Sequence, residues 1–277
     1  MGRFDIRTRT GQISAIIQGQ SATDADAQAY FDRVTAAGGT LSLTEQNAVN
    51  TLVLSLKSAN IWTAMKAIYP MVGSSAAACA QNLKSSSYTG TFTSGWTFTA
   101  NGATPNGTSA FMNTGLAPNT QLTNNNIHYS YYSRTQITST SATEMGSLNS
   151  GNVNQNSLGF YFAATSQKTF VAGGYPTYSA ISSNSDTLGL VLGSRISTTS
   201  AKIYMDGILL ATNTTTNVTT LPIIVVYLGG VNNNGALIEP SNKQCAFASI
   251  GDGLSDAQVT NFYTSVQAFQ TILSRQV

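Results

Sequence analysis

Apolar positions fall into two regimes along the chain. Residues 1–20 follow neither a helical nor a strand period, although they include Ile13, Ile16 and Ile17, and they read as an extended arm. From Ser21 the period is helical. Thr23 or Asp24 can cap a helix that carries Ala27, Tyr30, Phe31 and Val34 at i, i+3, i+4 and i+7, and Gly38-Gly39 ends it. Ser42-Leu-Thr-Glu45 fits a capping box ahead of Val49, Leu52, Val53 and Leu56. A third short helix is expected over Ile61, Trp62, Met65 and Ile68, stopping before Pro70.

The texture changes at Val72. To about Ile250 short β-type runs alternate with Ser, Thr, Asn and Gly, the pattern of a sandwich or jelly roll. The expected strands are Gly95–Ala100, Ser109–Asn113, Ile127–Arg134, Ser157–Ala163, Lys168–Ala172, Thr187–Ser194, Ala201–Met205, Ile208–Thr212, Ile223–Leu228 and Gln244–Ile250. Asp206-Gly207 is a two-residue hairpin signal. After Asp252 the period is helical again: Ser255 can cap a helix with Val259, Phe262, Tyr263, Val266, Phe269, Ile272 and Leu273 on one side, expected to pack on the sandwich. The fold class is therefore mainly β. It divides into an arm (1–20), a helical anchoring unit (21–71) and a β-sandwich with a C-terminal helix (72–277).

Composition narrows the function. Only 9% of the 277 residues are charged, against about 25% in ordinary domains, so Ser, Thr, Asn and Gln must supply the polar surface. Net charge is +2, and the one basic cluster is Arg3, Arg7 and Arg9. That cluster suits an assembly arm better than a nucleic-acid stripe. No run approaches the roughly 18 apolar residues of a membrane span, and the first residues lack the apolar core of a secretory signal. No membrane insertion is expected, and synthesis is expected in a cytoplasm.

Catalytic chemistry is sparse. His128 is the one histidine, and it alternates with tyrosines in a strand. Of eleven acids, Glu144, Asp186, Asp206, Glu239, Asp252 and Asp256 lie in the β region or after it, without the close pairing that glycoside hydrolysis requires. Asp252-Gly-Leu-Ser-Asp256 reads as a turn and helix cap rather than a calcium loop. Gly102 to Gly107 lacks the lysine and helix of a phosphate loop. No metal, cofactor or enzymatic activity is expected. The sequons at Asn106, Asn213 and Asn217 are what an Asn/Thr-rich chain produces by chance. The remaining candidates are sugar-binding: Tyr175 and Tyr178 in a Gly-Gly-Tyr-Pro-Thr-Tyr loop, and the Asn232-Asn233-Asn234 loop. Aromatic faces stack on sugar rings, and amides bond their hydroxyls. Cys79 and Cys245 read either as two buried side chains or as a single bridge.

Four segments carry a family resemblance. Ser94-Gly-Trp-Thr-Phe-Thr-Ala-Asn-Gly-Ala-Thr-Pro-Asn-Gly-Thr-Ser-Ala-Phe-Met-Asn-Thr-Gly115 and Asn60-Ile-Trp-Thr-Ala-Met-Lys-Ala-Ile-Tyr-Pro70 resemble segments of tailed-bacteriophage virion proteins. Ala248-Ser-Ile-Gly-Asp-Gly-Leu-Ser-Asp-Ala-Gln258, with the Lys202-Ile-Tyr-Met-Asp-Gly207 hairpin, is similar to the closing strand and turns of concanavalin A-like and laminin-G-like jelly-roll sandwiches. The resemblance implies a virion structural protein on the particle exterior: a capsid decoration, fibre or tail-appendage component, assembled in the host cytoplasm. Its partners would be other virion proteins and copies of itself. The alternative is a carbohydrate-binding module for host attachment, with a surface glycan as partner; a glycan hydrolase ranks below both. In such sandwiches the first and last strands lie side by side, which would bring Cys79 and Cys245 together.

Overall fold

The computed structural model describes residues 22–136, 142–149, 155–161 and 167–277. Helix α1 (Ala25–Ala36) starts at Asp24, whose side chain accepts from the Asp26 N–H. Helix α2 (Leu43–Ser58) has the full Ser42/Glu45 capping box, and α3 (Asp256–Ile272) has the equivalent box from Ser255 and Gln258. The strands in chain order are β1 Met65–Tyr69, β2 Thr91–Phe92, β3 Trp96–Thr99, β4 Gly102–Pro105, β5 Met112–Asn113, β6 Ile127–Ser133, β7 Met145–Leu148, β8 Gln155–Tyr161, β9 Gln167–Gly173, β10 Ser179–Ser182, β11 Gly189–Ser197, β12 Ser200–Met205, β13 Ile208–Asn213, β14 Tyr227–Leu228, β15 Gly230–Asn233, β16 Ala236–Ile238 and β17 Cys245–Gly251.

They form two sheets. Sheet A runs β13-β12-β11-β6-β17-β4-β3, with β1 also on β17; sheet B runs β10-β9-β8-β7-β14-β5-β2, with β15 on β7 and β16 on β15. Pairings are antiparallel except β15 with β7.

The molecule has three layers, because sheet A is covered on both faces. In β6, Ile127, Tyr129 and Tyr131 point between the sheets and join Met145 and Phe170 in one apolar core. Tyr132 points the other way, into a second core shared with Leu190, Leu192 and the apolar faces of α1, α2 and α3. The period of two thus yields a strand buried at every position. The N-terminal helices and the C-terminal helix form one layer, which the Ser55–Ser265 hydroxyl pair joins at 2.8 Å.

The two sheets also dictate small residues. A Cβ on Gly193 of β11 would lie 2.1 Å from the Phe170 ring of the facing sheet, so only glycine fits there.

Three expectations are corrected. Residues 61–68 do not form an α-helix: a single 3-10 turn at Trp62–Ala64 leads into β1, which pairs with β17. A register shift between Met65 and Ala67 puts Met65 and Ile68 on the helix-facing side, while Ala67 and Tyr69 face the other sheet. That bulge gives a strand the i, i+3 spacing of a helix. The strand expected at Ser109–Asn113 shrinks to β5, because Asn106 Oδ1 accepts the N–H groups of Thr108, Ser109 and Ala110 and holds a turn there. The strand expected from Ile223 starts only at Tyr227.

The bridge is not formed either: Cys79 and Cys245 are both free and buried. Cys79 Sγ donates to the Val72 carbonyl at 3.4 Å, and burial pushes this thiol up to about 12. Burial likewise raises the Cys245 thiol. Both stay protonated and unreactive at neutral pH.

Beyond α3, Arg275 is buried without an acid partner among the described residues. Its guanidinium donates to the carbonyls of Pro70, Met71 and Ala246 and to Gln270 Oε1. This pins the end of the helical layer to the end of β1.

Candidate functional site

Most of the polar chemistry is internal. His128 is fully buried against the edge of Phe262. Its Nδ1 donates to the Asp252 carbonyl at 2.5 Å, and its Nε2 lies 3.0 Å from Ser249 Oγ, which is 2.6 Å from Ser130 Oγ. A serine beside a histidine has the outline of a nucleophile and base, but the pair sits beneath α3 where no substrate reaches it. Burial lowers the imidazole to about 4, so it is neutral.

Glu144 and Lys243 form an ion pair of 3.0 Å with both side chains completely buried, and Ser241 Oγ donates to the same carboxylate oxygen. Asp252 and Asp256 are engaged by Lys66 and Lys202. No group of three or more metal-ligating side chains occurs among the described residues.

The exposed candidate is one end of the sandwich. Register places the residues there: Gly173 at the end of β9 pairs with Gln155 of β8, Gln155 with Leu148 of β7, and Leu148 with Asn233 of β15. The Tyr175 turn and the Asn232–Asn234 loop therefore open at the same edge. Three strand spacings separate them, roughly 14 Å.

Tyr175 is 48% exposed, and Tyr178 is half-buried behind it. Their turn is firmly held. Asn213 Nδ2 donates to the carbonyls of Thr177 and Ser179 at 3.0 and 2.9 Å. Arg195 reaches the Tyr178 carbonyl from below at 3.4 Å. Within the turn, the Tyr178 N–H bonds the Gly174 carbonyl.

Gly173, at φ +143°, is a position of close approach. A Cβ there would lie 2.9 Å from both Asn217 Oδ1 and Thr219 Oγ1. We expect Gly173→Ala to loosen this end, with faster amide exchange over 173–179 and an unchanged helical layer. Unaltered exchange would contradict the clamp.

Asn217 is the hub of the same end. It is buried, donates to the Ala172 carbonyl and Asn124 Oδ1, and accepts from Thr219. Its sequon is therefore structural, with the amide already used.

The Asn232–Asn234 loop divides in two. Asn232 is buried, donating to Val225 O and accepting from the Gly235 N–H, so it shapes the hairpin. Asn233 and Asn234 remain at the surface, and Asn234-Gly235 form the positive-φ turn. Arg3, Arg7 and Arg9 lie outside the described residues.

Sequence reasoning missed the supports, Asn213, Arg195 and Asn217, and the exposed apolar pair Val218 (77%) and Ile223 (68%) at this end. For Val218 the signal was present, since it stands alone in the Thr/Asn-rich stretch 212–220; Ile223 was hidden in the apolar run 221–228.

No charged residue occurs from Gly207 to Ile238, from Met145 to Gln167, or from Thr169 to Ser185. The Tyr175 turn, residues 213–223 and the Asn232–Asn234 loop all fall within these segments. Lys168 is buried at the far end of β9, where it is bonded to Asn184 and Asp186.

No family model and no curated protein matches the sequence. Solved structures do. Domain 4 of AbnA, a GH43 extracellular arabinanase from Geobacillus stearothermophilus solved with arabinotriose, is similar with a TM-score of 0.52 at 17% identity. The match covers 72% of this chain and 98% of that one. A mutant Trypanosoma rangeli sialidase with trans-sialidase activity is similar at TM-score 0.51 and 15% identity, over 81% of this chain and 39% of that one. The Ruminococcus gnavus CBM40 domain, bound to α2,3-sialyllactose, covers 49% of this chain at 18% identity with a TM-score of 0.36. At such identities the two matches above a TM-score of 0.5 speak to the fold alone, a mainly β sandwich.

Proposed function

We propose that this chain is a carbohydrate-binding module whose ligand rests on the Tyr175 end of the sandwich. The observation that carries this reading is an exposed aromatic ring on a turn clamped by Asn213 and Arg195, at an edge lined with amides and hydroxyls. A sugar presents an apolar face and a rim of hydroxyls, and such an edge complements both. A pre-held turn also reduces the ordering cost of binding. That AbnA domain 4 was solved with arabinotriose supports the reading through a shared fold.

The proposed role is binding without cleavage. The segments around Tyr175 contain no carboxylate, so neither general acid nor nucleophile is available there. Screening against oligosaccharides and host-envelope polysaccharide provides the test. Tyr175→Ala should weaken binding about tenfold or more, while Tyr175→Trp should retain it. Equal affinity for Tyr175→Ala and the parent would rule out this edge as the site.

A second proposal concerns where the module works. The resemblance of residues 94–115 to phage virion segments favours a place on the particle exterior, with neighbouring virion proteins as partners. Mass spectrometry of purified particles tests it, and absence of the chain from them would end this reading.

A further inference from the structure

We infer that the ligand is an uncharged, extended oligosaccharide rather than an acidic sugar; this rests on the carbohydrate-binding reading and specifies its substrate class. The distribution of charge is the first argument. Between Met145 and Ile238 the sequence holds five ionisable acids and bases: Lys168, Asp186, Arg195, Lys202 and Asp206. Lys168 is buried at the opposite end of β9. Asp186 accompanies it there, as its carbonyl accepts from the Lys168 ammonium. Lys202 pairs with Asp256 at 2.7 Å on the helix-facing side of sheet A. Asp206 turns the β12–β13 hairpin, accepting from the Leu190 N–H at 2.8 Å.

Arg195 is the one of the five that lies beneath the Tyr175 turn, and it is not offered to a ligand. Its side chain is completely buried. Nη1 donates to the Thr198 carbonyl at 2.8 Å, and Nη2 points to Tyr178 O. It therefore acts as a strut for the turn. A carboxylate docking at this edge would give up hydration without gaining an exposed counter-charge, since the Arg195 guanidinium beneath the turn is buried and engaged with carbonyls. Hydroxyls meet no such penalty, because Asn233, Asn234 and the threonines of 214–220 provide both donors and acceptors.

Geometry gives the second argument. Gly173, which leads into the Tyr175 turn, and Asn233 lie roughly 14 Å apart across neighbouring strand ends. Exposed Val218 and Ile223 add apolar surface at the same end; the Ile223 N–H bonds Asn149 just beyond β7. A single sugar covers only part of that length, so affinity should grow with chain length.

The test is calorimetric titration of the purified chain with neutral arabino-, xylo-, gluco- and galacto-oligosaccharides, from mono- to hexasaccharide. Sialylated and uronic-acid counterparts are run in parallel, each at about 50 mM and about 500 mM salt. Binding of a neutral series that strengthens with length, changes less than about twofold with salt and is lost in Tyr175→Ala supports the inference. Tighter binding of the acidic sugars, weakened by salt, would overturn it while leaving the carbohydrate-binding reading in place. Absence of binding by every saccharide would overturn both.

Discussion

Replacing Lys243 by Met is expected to destabilise the fold by about 3–5 kcal/mol at pH 7. The Glu144 carboxylate is completely buried, and the Lys243 ammonium 3.0 Å away is its counter-charge. Removing the ammonium takes away this counter-charge, which the neutral Ser241 hydroxyl does not replace. Glu144→Gln should cost a comparable amount, because it removes the buried lysine's counter-charge instead. The double variant Glu144→Leu/Lys243→Met should recover most of the loss, since two apolar groups of similar volume need no counter-charge. Denaturant unfolding of the four proteins measures this directly. A single-variant loss below about 1 kcal/mol would show that the pair carries no such weight.

The second large effect is acid sensitivity centred on His128. Burial lowers its folded pKa to about 4, against 6.5 in the unfolded chain. For a base depressed by folding, the unfolded state binds the proton first. The stabilisation is therefore complete above pH 6.5 and is lost as pH falls from 6.5 to 4. Over that window the loss is about 3 kcal/mol. His128 is the single histidine, but Asp206, whose carboxyl burial raises, contributes with the opposite sign, so the imidazole's share is the difference between parent and His128 variant. Asp256, held below its ordinary value by Lys202 and Tyr204, titrates in a separate and more acidic range. Unfolding free energies at pH 7, 5 and 4 for the parent and for His128→Asn provide the measurement. The variant should be less stable at pH 7 and lack the parent's extra loss across the window; a parent curve that runs parallel to the variant's would refute the assignment.

Much of the architecture could be read from the pattern of residues. The caps at Asp24, Ser42 and Ser255 and the apolar stripes behind them locate all three long helices, because these are local signals. Strands such as β6, β11, β12 and β13 fall within a few residues of their expected places for the same reason.

What failed depended on distant partners. The helix expected over Ile61–Ile68 is a strand because β17, far along the chain, supplies its hydrogen bonds, and a bulge disguises its period. The completely covered β6 could not be anticipated, as nothing local announces that helices from both ends of the chain roof the same sheet. At the candidate site, Tyr175 stood out by residue type. Asn232 did not differ in type from Asn233, and only its bonds to Val225 and Gly235 separate a structural amide from surface ones. Asn213 and Asn217 were obscured by composition, since in an asparagine-rich chain the sequence does not reveal which amides are engaged.

The position of β17 in sheet A has a consequence for biosynthesis. It lies between β6 on one side and β1 and β4 on the other, yet it is translated after every other strand. The Lys66–Asp252 contact that accompanies its docking spans 186 positions, and the Arg275–Pro70 bond spans 205. On the ribosome, β6 and β1 therefore wait with open, apolar edges until Cys245–Gly251 has emerged. Folding of such non-local topology is slow, and waiting edges invite intermolecular pairing. Yield should consequently depend on temperature and chaperone supply during synthesis far more than the finished protein's resistance to denaturant would suggest.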